Sequence, residues 1–157
     1  MSRQEATNQY LTALKAGQKN YRDCVLQGRY PYPQVLDEIL DDSMAAGQVD
    51  LGLIGIPTER IVGTKAAGRI SAFAANFMPL LPSNTEFAGK WIELCLAHLG
   101  EGIRDPVRCY EYMGRFYIQE GNKRVSVLKS YGAPTIDAFV TRIIPAYSQD
   151  QAVQVYY

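Results

Sequence analysis

The sequence predicts an α+β domain, with a small mixed or antiparallel sheet flanked by helices. Two observations predict it. Four runs starting near Leu51, Val107, Phe116 and Ile136 have the alternation or apolar content of strands. Segments with apolar residues at helical spacing lie before and between them. At 157 residues, 47% hydrophobic and 20% charged, the chain can bury one sizeable core and has an ordinary globular composition.

Taken in order, Gln4 to Gln27 reads as a helix with Tyr10, Leu14, Tyr21 and Val25 on one stripe and Gly28 as its stop. After Tyr30-Pro31-Tyr32-Pro33, a second helix is expected from Gln34 to Ala46. Val35, Leu36, Ile39 and Leu40 would face inward, with Asp37, Glu38, Asp41 and Asp42 outward. These two helices form an N-terminal helical hairpin extension, residues 1–48, ahead of a core domain at 49–146. Val49 to Ile56 alternates as the first core strand, and Pro57 ends it because proline cannot donate to a ladder.

The next stretch, Val62 to Arg69, is a Gly- and Ala-rich loop carrying Lys65 and Arg69. Such a loop lets backbone approach a ligand, although a plain surface loop explains the same composition. Ile70 to Leu81 is apolar and reads as a buried helix or helix-like turn ending at Pro79. Ser83-Asn84-Thr85-Glu86 has the form of a capping box. The helix it opens places Phe87, Trp91, Leu94, Cys95 and His98 on one face and stops at Gly100. Trp91 is expected in the core. His98, the one histidine, fits a structural place near the helix C-terminus better than a general base.

Val107–Tyr112 and Phe116–Glu120 flank a hairpin turn at Met113-Gly114, and Ile136–Ile143 follows Ala133-Pro134 as the last core strand. Residues 147–157 form a tail ending in an apolar alternating run from Ala152. Such a run wants a partner surface, which suggests that the natural chain continues into a longer protein.

Charge and cysteine content exclude several functions. Lysine plus arginine number 16 and acidic residues 16, so the basic excess of a non-specific nucleic-acid binder is missing. Cys24, Cys95 and Cys109 are odd in number and lack a C-x-x-C pair. A disulfide framework or structural zinc site is disfavoured, and a reducing, cytoplasmic setting fits. Neither an export signal nor an apolar span of membrane length is present in the sequence.

The most informative stretch is Phe116–Gly132, FYIQEGNKRVSVLKSYG. A strand-like run meets Gly121, and Val125, Leu128 and Tyr131 then recur at helical spacing up to Gly132. The strand–helix junction therefore falls on Glu120-Gly121-Asn122-Lys123-Arg124. Free amides and the positive end of a helix dipole attract anions, and two cations in the same first turn call for one. Pairing of Lys123 and Arg124 with surface carboxylates would answer the same need, and the residues alone leave both open.

This stretch resembles the signature of the ParB/sulfiredoxin-like superfamily: a strand, Gly-x-x-Arg opening a helix, and a short Gly turn into another strand. Gly102-Ile103-Arg104-Asp105-Pro106-Val107 resembles the family's Gly-Ile-x-x-Pro-Ile lead into a hairpin. Ile56-Pro57-Thr58-Glu59-Arg60-Ile61 resembles its opening strand and turn. The motifs span roughly Leu51 to Pro145, and the chain is similar to the N-terminal segment of longer bacterial proteins. The resemblance implies a ParB/sulfiredoxin-like fold.

Site residues carry over one at a time. Sulfiredoxins have a reactive cysteine where Asn122 stands, and the cysteines of this chain lie elsewhere, which argues against sulfinic-acid reduction. The partition proteins carry Gly-Glu-Arg-Arg and bind CTP; Gly121 and Arg124 match, Lys123 keeps the charge, and Asn122 replaces the acid. Their helix-turn-helix has no counterpart here, so sequence-specific DNA binding is disfavoured. The superfamily's free-serine kinases have an Asp where Glu120 stands. A carboxylate there could hold Mg²⁺ or accept a proton, although an outward strand-end Glu is the plainer explanation. The kinases' signature histidine is absent.

The resemblance thus implies a regulatory domain binding a nucleotide, ATP or CTP with Mg²⁺, or another phosphate ligand. The Asn122–Arg124 amides and the Lys123 and Arg124 side chains would hold it, with Lys65, Arg69 and Arg104 as further contributors. One alternative is a non-catalytic interaction module that docks a protein partner or a C-terminal domain of a longer chain. The other is a small-molecule kinase or NTPase.

Overall fold

Parallel and antiparallel pairing together make one mixed sheet. The computed structural model describes residues 2–68, 70–103, 105–147 and 151–156. Its strands are β1 (Gln34–Val35), β2 (Ala45–Pro57), β3 (Ile61–Thr64), β4 (Val107–Tyr112), β5 (Arg115–Glu120) and β6 (Thr135–Pro145). They lie in the order β1-β3-β5-β4-β6-β2. β1/β3, β3/β5 and β4/β6 are parallel, whereas β4/β5 and β2/β6 are antiparallel. The expected fold class, a mixed sheet flanked by helices, is what the structure shows. Among the described residues no helix is long and apolar enough to cross a membrane.

Three helices carry the packing: α1 (Arg3–Leu26), α3 (Glu86–Gly100) and α4 (Asn122–Ser130). Val125 of α4 joins the cluster built from Ile56, Val107, Ile118 and Val140 of the sheet. Val127, two residues on, joins Tyr10 and Ala13 of α1 and Phe87 and Trp91 of α3. Between them, the Trp91 Nε1–H donates to Ser126 Oγ at 2.9 Å, and both residues are fully buried. Tyr10 meets Trp91 edge-on at 5.2 Å, an arrangement aromatic quadrupoles favour.

The buried stripe of α1 differs from the expected one. It runs through Ala6, Tyr10, Ala13, Gly17 and Cys24, while Val25 is exposed. Small residues let α1 approach closely: a Cβ on Gly17 would stand 2.2 Å from the Pro79 carbonyl oxygen. Cys24, Cys95 and Cys109 are free and buried.

Other local expectations are corrected. Among the described residues, the extension holds one long helix and no helical hairpin. Gln34 and Val35 pair with Gly63 and Thr64, and only Leu36–Ile39 (α2) turns helically. The Asp41 carboxylate then accepts the Ser43 amide at 2.9 Å, a local bond that competes with helix propagation. Val62–Thr64 is strand rather than loop, held between β1 and β5. Ile70–Leu81 is buried as expected but begins as a 3₁₀ turn, Ile70–Ala72, and then bends. Asn76 Oδ1 accepts the Met78 amide, and Phe77 takes a positive φ of 67°. The cap of α3 is Thr85, whose hydroxyl accepts from Ala88 N at 3.2 Å, rather than Ser83. The tail run is helical, α5 (Gln151–Tyr156).

Trp91→Phe keeps most of the apolar ring and leaves the Ser126 hydroxyl without its partner. A loss of about 1–3 kcal/mol in urea unfolding is expected, with Ser126→Ala recovering part of it in the double variant.

Candidate functional site

β5 ends at Glu120, and the chain reverses into α4 through Gly121. This residue sits at φ 110°, where an L side chain is strained. Packing makes the same demand, since a Cβ there would lie 2.6 Å from Val107 Cγ1. No side chain caps α4, no acid stands in its first turn, and its first backbone bond runs from Val125 N to the Gly121 carbonyl. The amides of Asn122, Lys123 and Arg124 therefore have no acceptor within the helix.

They open into a cleft of about 740 Å³. One wall is the chain from Gln119 to Arg124. Facing it, α3 contributes Phe87, Lys90, Glu93 and Leu94, and Phe73 closes the apolar end. Lys123 Nζ lies 5.4 Å from the Phe87 ring centroid. Lys90 reaches Glu86 at 3.1 Å. The Arg124 Nη1 donates to the carbonyls of Asp105 at 3.2 Å and Pro106 at 3.1 Å, which ties the lead into β4 to the helix. Carbonyls leave the guanidinium charge uncompensated, so Arg124 is both a brace and a cation at the cleft.

Glu120 lines the same cleft with its side chain 68% exposed and its carboxylate 4.0 Å from Arg108 Nε. That placement suits a solvated strand-end acid as well as a group beside a ligand. A second cleft of about 420 Å³ adjoins the first and shares Gln119 and Asn122 with it. The Thr64–Gly68 segment forms its far wall, so Lys65 is near the signature. Its ammonium is, however, paired with Asp37. Asn122 stands between the clefts, and its buried Oδ1 has no hydrogen-bond partner.

The structure thus brings together Glu120, Gly121, Asn122, Lys123 and Arg124, with Lys65 at the margin. Arg69 and Arg104 lie outside the described residues. Lys90 and Glu93 were not picked out from sequence. Their signal was a cation, Lys90, on the same turn-spaced stripe as Phe87 and Leu94.

His98 packs against Tyr131 with centroids 4.8 Å apart and is not among the residues lining the cleft. None of the three cysteines lines the cleft. Burial pushes the Cys109 thiol up to about 12 and also raises that of Cys95, the opposite of an activated thiolate.

No protein-family model matches the chain, and no curated protein does. Among solved structures, the chain is similar to the sulfiredoxin from Arabidopsis thaliana. The identity is 22%, covering 56% of this chain and 82% of that one, with a TM-score of 0.39.

Removal of the Arg124 side chain should cost about 1–3 kcal/mol of stability through its two charge-assisted bonds, whereas Lys123→Ala should change stability by less than about 0.5 kcal/mol. Parallel urea titrations of the two variants measure the difference.

Proposed function

We propose that the cleft over Gly121–Arg124 binds a nucleotide or another phosphate ligand, and that the domain is a cytoplasmic regulatory unit. One observation carries this: the N-terminus of α4 opens uncapped into a cleft lined by Lys90, Lys123 and Arg124. Oriented amides and the helix dipole favour an anion there, and the three cations offset its charge. The apolar end, Phe73, Phe87 and Leu94, suits the base of a nucleotide such as ATP or CTP. Mg²⁺ arriving with a polyphosphate needs only one or two carboxylates, and the cleft offers Glu93 and Glu120.

Those same carboxylates favour a second reading. An acid-containing cleft is also what a non-catalytic module docking a protein partner, or a further domain of a longer chain, would present. A kinase or NTPase would in addition use Glu120 as proton acceptor beside the phosphates.

Isothermal titration with ATP, CTP, GTP and ADP, each with Mg²⁺, tests the proposal. Micromolar binding is expected, weakened by about tenfold or more in a Lys90→Ala/Lys123→Ala variant that keeps the fold. Absence of binding by every nucleotide and by inorganic triphosphate would falsify it.

A further inference from the structure

On the sheet face opposite α4 lies another cavity, of about 620 Å³, whose lining includes Met44, Tyr112, Met113, Arg115, Tyr117 and Val153. Strand β5 shows why this site is separate from the signature cleft. Phe116 and Ile118 pack in the cluster that holds Val125 of α4, whereas Tyr117 between them joins Leu36, Tyr112 and Ile143. Successive strand residues point to opposite faces, so Tyr117 turns away from α4. The volume falls within the range of small-molecule sites, about 300–1,000 Å³, and most of the lining is apolar or aromatic.

Two observations single out its chemistry. Arg115 is the one cation or carboxylate among the described lining residues, and it makes no ion pair among the described residues. Tyr117 is only 3% exposed, and its hydroxyl makes no hydrogen bond among the described residues. Unlike the sealed oxygens of Thr58 and Asn122, this one is reachable from outside. Arg115 and Tyr112, which share the cavity wall, are the groups whose charges act on it. A buried phenol and a cation, both without a protein partner, suit an anion that accepts from each.

We propose that this cavity binds a small carboxylic acid with an apolar body, its carboxylate held by the Arg115 guanidinium and the Tyr117 hydroxyl. A single guanidinium fork matches one carboxylate in a bidentate pair, whereas a polyphosphate calls for more cations than this wall offers. Burial raises the Tyr117 phenol above its ordinary range, against the opposing pull of Arg115. It therefore stays a proton donor at neutral pH, as a carboxylate requires. Met44 and Met113 bring flexible thioethers that adapt to the outline of an apolar chain or ring, and Tyr112 and Val153 extend that wall.

Isothermal titration of the full chain with octanoate, cinnamate and the two matching alcohols tests the assignment. At least one acid should bind with a dissociation constant on the order of 0.1 mM, and its alcohol about tenfold more weakly. Arg115→Met keeps an apolar stem at an exposed position. It should weaken the acid about tenfold and leave the alcohol unchanged, which also reports that the cavity is intact. Tyr117→Phe removes only the hydroxyl and should weaken the acid about threefold or more. Neither variant alters the α4 N-terminus, so any nucleotide binding there should persist and the two proposals fail separately. Failure of both acids to bind, equal affinity for acid and alcohol, or acid binding undiminished in either variant overturns the proposal.

Discussion

Val125, Ser126 and Val127 are three consecutive residues of α4 with no exposed surface. A short helix with one apolar stripe cannot bury three in a row, because successive side chains point about 100° apart. Here the helix is enclosed on both sides. Val125 meets the sheet, Val127 meets the α1–α3 layer, and the polar residue between them is satisfied by the indole of Trp91. The fold depends on this sandwich. A free hydroxyl at that depth would cost about as much as a hydrogen bond yields, so its partner must be placed as carefully as the apolar contacts.

Clamping α4 also fixes both its ends. At the N-terminus, Gly121 lies against Val107 with no room for a side chain, and Arg124 ties the helix to the strand lead at Asp105 and Pro106. The residues that carry the free amides line the cleft whose other wall is α3. At the C-terminal end, Lys129 is drawn over Phe77 and loses water. One rigid helix thus presents oriented N–H groups at one end and a desolvated amine at the other.

Much of the fold was legible in the chain. The hairpin at Met113-Gly114, the Gly121 junction and the long last strand each combine strong alternation with a residue of special backbone freedom, and each appears where expected. The failures share a cause. β1 and β3 are short and parallel, so their hydrogen bonds come from residues distant in sequence, and no local period announces them. Gln34 and Val35 suit either structure by themselves, and pairing with Gly63 and Thr64 decides for the strand, so the helix begins only at Leu36. The bend at Asn76-Phe77 belongs to the same class, since a side-chain acceptor and buried ring override the apolar run.

The sequence by itself determined the glycine at the helix entry, the cations after it and the amphipathic helices, because these depend on local backbone geometry and side-chain type. Tertiary structure alone decided which groups stand opposite them. Lys90 and Glu93 reach the cleft because α3 crosses beside α4, and Lys65 turns to Asp37 because β1 lies next to β3. Lys129 looks like any surface lysine in the chain, and only the burial imposed by Phe77 and the Thr58 turn makes it different. Charge and spacing are properties of the sequence, whereas desolvation and juxtaposition exist only once distant segments have packed.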